Sequence, residues 1–239
     1  MVGGDRYVPL EARGDQFNPP EELVDEKDLV EFWLAFRRNN GWNLPDPEAE
    51  QQKAEELARE AQKSSARFFA IKDGGKIVAT GKLEVRTEEN GAKHGFLEKL
   101  TVANSEKYRG KGLSKKITDA RTVAARNEGC THLDAEVYAG NPIGLVTKLN
   151  DGYCINDVEF YDEDNKTKGW FDLTKGIDDE PKYDRKKGPL GDLKEINLTD
   201  LVAIKSLIAQ GYVGIDARNP VEVNGQDPKQ WILIMEQIN

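Results

Sequence analysis

The residues Tyr108-Arg109-Gly110-Lys111-Gly112-Leu113-Ser114-Lys115-Lys116 have the types and spacing to bind an anion. Glycines let a backbone come close to a ligand, and the free N–H groups at a helix start point at phosphate. Arg109 and Lys111 add positive charge at the same place. In a chain of 239 residues with a formal net charge of -9, this local cationic cradle points to a phosphorylated cosubstrate. Two familiar phosphate loops do not fit. No G-x-x-x-x-G-K-S/T pattern can be laid on the stretch, and after Gly110 and Gly112 the third position of G-x-G-x-x-G falls on Lys115. ATP and NAD lose most of their support.

The elements that must position the cradle lie on either side of it. The run Phe96-Leu97-Glu98-Lys99-Leu100-Thr101-Val102 reads as a strand. Leu113, Ile117, Ala120 and Ala124 recur at helical spacing after the loop. Strand, glycine loop and helix is the layout of an anion site.

Arg109-x-x-Gly112-x-Ser114 resembles the pyrophosphate loop of the GNAT superfamily of N-acetyltransferases, R/Q-x-x-G-x-G/A, with Ser114 as the departure. A second stretch is similar to the family's N-x-x-A-x-x-x-Y-x-x-x-G-F motif. Asn141 and Gly144 open it, and Gly152-Tyr153 close it without a gap. The resemblance covers about residues 26 to 175. It implies acetyl-CoA as cosubstrate and an amine as acceptor. It implies a GNAT-like α/β fold, with a mixed, mostly antiparallel sheet flanked by helices. The backbone of Leu100, Thr101 and Val102 would hold the pantetheine arm and offer an N–H to the thioester oxygen. Arg109, Gly110, Lys111, Gly112, Leu113 and Ser114 would hold the pyrophosphate. Asn141 would bond the pantetheine arm.

Acetyl transfer also needs a base for the ammonium and stabilisation of the oxyanion and the leaving thiolate. Glu98, eleven residues before Arg109, stands where the histone-acetylating branch of the family places its base. Strict alternation would put it on one face with Phe96, Leu100 and Val102, where apolar neighbours raise a carboxylate's pKa. The family's usual acid is a tyrosine, but that position is Lys148 here. A lysine there could protonate the thiolate if burial lowered its pKa, or it could be a solvated helix residue. Tyr153 and Tyr138 are the nearby substitutes. A non-catalytic acyl-CoA sensor and an interaction module remain the alternatives.

Composition narrows the class. Hydrophobic content of 38% and charged content of 32% describe a globular chain, and no apolar run approaches the roughly 20 residues of a membrane helix. Cys130 and Cys154 are too few for a disulfide framework. They suit a reducing cytoplasm, as buried structural thiols. The acidic balance argues against nucleic acid as partner. His94 and His132 have no metal-ligand spacing, so no metal is expected. Asp157, Glu159, Asp162, Glu163 and Asp164 crowd one strand and its tip. They read as a solvated hairpin tip or as an attractor for a cationic acceptor.

Along the chain, residues 1–25 read as an arm with an extended piece at Tyr7 to Leu10. Helices follow near 25–40 and 47–63, the second largely facing water. Trp33, Phe36 and Trp42 are candidates for an acceptor entrance or for the core. Strands are expected at Arg67 to Ile71, Lys76 to Val85, Thr131 to Tyr138, Val158 to Tyr161 and Gly169 to Leu173. Residues 26–175 form the acyl-CoA-binding domain and 176–195 a linker. Residues 196–239 echo Asn141 to Tyr153 and Trp170 to Leu173, as a helix–strand–strand half-repeat. The extension could lengthen the sheet, cover the site or swap within a homodimer.

Overall fold

A computed structural model describes residues 17–108, 110–163, 166–177, 192–218 and 231–237, with backbone alone at 162, 163, 166 and 167. The expected piece at Tyr7 to Leu10 and most of the expected linker lie outside them. The chain divides into two compact units. One takes the chain up to Leu83 and then Lys99–Arg121, and the other takes Glu84–Glu98 and everything from Thr122.

The first unit begins with β1 (Glu21–Leu23), a short strand inside the expected arm. Helix α1 (Glu26–Asn40) has acidic residues in its first turn and Arg37 and Arg38 in its last, matching the helix dipole. Gly41, at φ 69°, closes it by donating to the Arg38 carbonyl. Helix α2 (Pro47–Lys63) starts on an Asp46 cap with Pro47 in its first turn. Most of it faces water, as expected, with Ala54, Ala58 and Ala61 buried on its inner side. These small side chains let the two helices approach closely. Trp33 and Phe36 belong to this core, edge-on to Phe32 or to each other, while Trp42 is exposed. Core packing therefore takes two of the three aromatics offered for an entrance. β2 (Arg67–Asp73) and β3 (Lys76–Thr87) join by Gly74 and Gly75, both at positive φ, the conformation a two-residue hairpin turn requires. β1, β2 and β3 pair antiparallel in that order. β4 (Lys93–Val102) and α3 (Leu113–Asn127) begin or end in this unit and run across its boundary.

The second unit holds β5 (His132–Tyr138), α4 (Pro142–Asn150), β6 (Cys154–Glu163), β7 (Lys166–Gly176), β8 (Leu193–Asn197), α5 (Leu201–Ala209), β9 (Tyr212–Arg218) and β10 (Ile232–Gln237). Its strand order is β4-β5-β7-β6-β9-β10-β8. Only β4 and β5 are parallel among the pairs described, so the fold is α/β with a mixed, mostly antiparallel open sheet and five helices.

The C-terminal echo is larger than the half-repeat read from sequence. It includes a leading strand, because β8 starts at Leu193 within the end of the expected linker. β5-α4-β6-β7 and β8-α5-β9-β10 are two copies of one β-α-β-β unit. In each, the first strand pairs with the last, and the last with the second. Asn141, Gly152 and Tyr153 have counterparts 59 positions on, at Asp200, Gly211 and Tyr212. Asn141 caps α4 by accepting from the Gly144 N–H at 3.0 Å, and Asp200 caps α5 by accepting from Ala203 at 3.1 Å. Gly152 and Gly211 share φ values of 89° and 88°. Each second strand carries a register shift at the same place, followed by an aspartate, Asp157 or Asp216, that accepts the next backbone N–H. The register puts Ile232, rather than Trp231, at the position of Trp170. The copies meet antiparallel where Ile155 pairs with its own counterpart, Gly214. A Cβ on Gly214 would lie 2.7 Å from Ile155 Cδ1, so glycine makes the junction fit.

Candidate functional site

In the first unit, Gly110 and Gly112 have φ values of 67° and 72°, the left-handed region that excludes most side chains. They turn the chain into α3, whose first intrahelical bond runs from Lys116 N to the Gly112 carbonyl at 3.0 Å. The N–H groups of Leu113, Ser114 and Lys115 precede that bond and have no partner within the helix. Leu113 is buried and anchors the first turn. Lys111 and Ser114 are half-buried at the loop, and Arg109 lies outside the described residues. The loop is tied down from below. Tyr108 donates its hydroxyl to Asp73 at 2.9 Å, Lys107 pairs with the same carboxylate, and Phe17 packs on the Tyr108 ring. Lys107, then Tyr108, hold the Asp73 carboxyl below its usual pKa. The preorganised backbone donors, with Lys111 beside them, have the chemistry to hold a diphosphate.

The strand ahead of the loop departs from strict alternation. Phe96 and Leu97 are both buried, and Lys99 has φ 52°, the only positive value outside glycine among the described residues. A left-handed residue inside a strand turns it as a bulge does, so parity no longer places Glu98 on one face with Leu100 and Val102. Glu98 is half-buried. The Lys99 carbonyl accepts from Thr80 Oγ1 at 3.0 Å, and Thr80 also meets Thr101 Oγ1 at 2.9 Å. Asn39 donates to Thr101 at 3.2 Å. The ladder of β4 with β5 takes in His94, Gly95 and Phe96. Leu100, Thr101 and Val102 have no rung in it. They are half-buried, on a strand end held by side chains.

In the second unit, Asn141 uses its side-chain oxygen as the cap of α4. Gly144 replaces the motif's alanine for a local reason: a Cβ there would lie 2.4 Å from Asn141 Nδ2. Lys148 is not a solvated helix residue. It is 7% exposed, with its ammonium 4.6 Å from the centre of the Tyr153 ring. Lys175 Nζ lies 4.9 Å from the same centre and donates to the Asp151 carbonyl. Tyr153 is buried, and its N–H donates to the Lys148 carbonyl at 3.1 Å. The structure thus brings two of the proposed proton donors together. Tyr138 stands elsewhere, exposed at the end of β5 against Trp170.

Sequence reasoning missed several residues. Arg121 is fully buried, donating to the Lys82 carbonyl at 3.1 Å, and Gly81 leaves the space that it and Ile117 fill. A glycine inside an apolar strand was the available signal. Glu50 is buried and bonds Arg37 at 2.7 Å and the Leu44 N–H at 2.7 Å, fixing the α1–α2 turn. Those bonds lower its pKa, Arg37 most. His94 and His132, distant in sequence, are register partners with rings stacked 5.0 Å apart. Asp134 accepts from His94 Nδ1 at 2.8 Å. Cys130 and Cys154 are buried and not joined in a disulfide, and burial raises the Cys130 thiol.

Residues 29–144 match the acetyltransferase (GNAT) family. No curated protein matches the sequence. Among solved structures, a GNAT-family protein from Desulfovibrio desulfuricans is similar, with 14% identity and a TM-score of 0.51, over 66% of this chain and 98% of that one. A GNAT-family acetyltransferase from Streptococcus pneumoniae has 14% identity and a TM-score of 0.50, over 66% and 99%. The Salmonella typhimurium protein yncA, solved with acetyl-CoA, has 12% identity and a TM-score of 0.52, over 70% and 99%. Such identities speak for the fold alone. These neighbours are spanned almost whole by about two thirds of this chain, which therefore carries about a third more. The glycine loop heading α3 lies inside the stretch, residues 29–144, that matches the acetyltransferase (GNAT) family, and the fold is the one these neighbours share.

Proposed function

We propose that this chain moves an acetyl group from acetyl-CoA to an amine of a small molecule or a protein. The observation that carries the reading is the pair of positive-φ glycines at the start of α3, inside the family match. The loop backbone from Gly110 to Ser114, with Arg109 and Lys111, takes the pyrophosphate. Leu100, Thr101 and Val102 take the pantetheine arm, with Asn141. That yncA was solved with acetyl-CoA supports the choice of cosubstrate. Glu98 accepts the proton of the acceptor ammonium. The freed nitrogen attacks the thioester carbonyl, gives up its second proton to solvent as the C–S bond breaks, and the thiolate takes a proton from Lys148, whose ammonium lies against Tyr153.

The lysine at the usual tyrosine position favours one other reading, a CoA-binding sensor without turnover. Titration calorimetry of acetyl-CoA and CoA into the wild type and Arg109→Glu tests both. Micromolar binding abolished by the substitution supports the cradle. An amine screen with Glu98→Gln as control then separates enzyme from sensor. No binding by a folded wild type would sink both readings.

A further inference from the structure

One face of the second unit's sheet carries charge and aromatic surface that the acetyl-transfer reading does not use. Glu136, Asp172 and Asp157 lie directly opposite one another on β5, β7 and β6. The next row on the same face is Tyr138, Trp170 and Glu159. Like charges in register destabilise a sheet, so this row opposes folding. Burial, then Glu136, Glu159 and Asp157, push the Asp172 carboxyl up to about 6. Lys205 offsets part of this. Its Nζ lies 3.8 Å from Asp157 while donating to the Val158 carbonyl. Trp170 and Tyr138 are 41% and 39% exposed, with ring centres 5.1 Å apart. Exposed large aromatics are enriched at recognition surfaces, and here they lie beside a surplus of carboxylates.

The second copy of the repeat serves as an internal control. Its equivalent positions hold Glu195, Ile234 and Asp216 in one row, and Asn197, Ile232 and Arg218 in the other. There Arg218 pairs with Glu195, and Ile234 is buried. The same scaffold therefore accommodates a compensated face, and the first copy's surplus of carboxylates is a property of its own side chains.

We propose that the face formed by Glu136, Asp172, Glu159, Trp170 and Tyr138 docks a lysine- and arginine-rich polypeptide segment. Charge complementarity selects a cation, and the exposed ring faces of Trp170 and Tyr138 suit alkylammonium and guanidinium groups. No group of three or more His, Cys, Asp or Glu among the described residues is arranged to hold a metal ion. The carboxylates are spread over three strands, about 4.8 Å apart, which suits several cationic side chains rather than one ion. A small ligand is better served by a concave pocket than by an open sheet face. The docking is independent of acetyl transfer.

The test is fluorescence anisotropy of labelled decalysine with the full chain at low salt, without acetyl-CoA. Asp172→Asn with Glu136→Gln should weaken binding about tenfold, and Trp170→Ala should weaken it as well. Glu195→Gln, the equivalent of Glu136 in the second copy, should leave binding unchanged. Circular dichroism shows that each variant is folded. Equal affinity in the face variants, or an equal loss in Glu195→Gln, would overturn the proposal. So would tight binding of spermine with none of decalysine, which would assign the face to a small polyamine.

Discussion

The two copies of the β-α-β-β unit have the same backbone and different chemistry. Caps, positive-φ glycines, the register shift and the aspartate after it recur in both. Where the first copy has buried Lys148 beside Tyr153, the second has Leu207 beside Tyr212. Where the first has Asp172 and Trp170, the second has Ile234 and Ile232. The comparison separates what holds the unit together from what the first copy adds. The shared devices satisfy backbone groups and set turns. The differences sit at buried polar and exposed aromatic positions, where function is placed at some expense of stability.

The copies are also interlocked. α4 packs on β9, and α5 on β6, so each helix lies against a strand of the other copy. Ile155 meeting Gly214 is the arrangement of a twofold junction made within one chain. Two isoleucines would not fit there, so the second copy gave up its side chain.

The comparison can be sharpened by making the first copy resemble the second. Lys148→Leu should reduce acetyl transfer about a hundredfold, the scale of a lost general acid, while acetyl-CoA still binds. Steady-state turnover and calorimetry measured together check this, and unchanged turnover would remove Lys148 from the mechanism. The junction offers a smaller effect. Gly214→Val places a branched side chain against Ile155 and should cost about 1–3 kcal/mol in urea unfolding. Adding Ile155→Ala should recover part of that loss, because the two positions share one space. Simple addition of the two losses would mean that the copies do not press on each other there.

The smallest expected effect is in pH dependence. In the folded protein Asp172 titrates at about 6, against an ordinary 3.8, so between those values the native state keeps a proton that the unfolded chain has released. Asp172 therefore lowers stability as pH rises through that window. Its partial exposure makes the slope shallow. The wild type and Asp172→Asn, compared by urea unfolding at pH values across the window, should differ in slope there, with the variant flatter. The second copy has Ile234 at this place, so Ile234→Ala should leave the slope as it is in the wild type.

Local chemistry was legible in the sequence. The glycine loop, the helix after it, the Asp73-Gly74-Gly75 hairpin, the Asn141-Pro142 helix start and the echo at Asp200 all depend on residues near one another in the chain. Their signals are side-chain size, turn preference and period, which act over a few positions. What sequence could not show depends on what a side chain meets from elsewhere. Lys148 has a solvent-like identity and a buried place, with its ammonium against the buried Tyr153 ring. Arg121 reads as surface and is core, because Gly81 opens a space for it. β8 was hidden in a charged stretch, since an edge strand needs hydrogen bonds to a neighbour more than an apolar pattern. The sequence by itself carried the resemblance to the family, the glycine loop and the presence of a repeat, since each is written in short-range pattern. Tertiary structure alone decided the turn of β4 at Lys99, the surroundings of Lys148 and the gathering of carboxylates around Asp172. Those follow from packing and from electrostatic fields between residues that the chain order keeps apart.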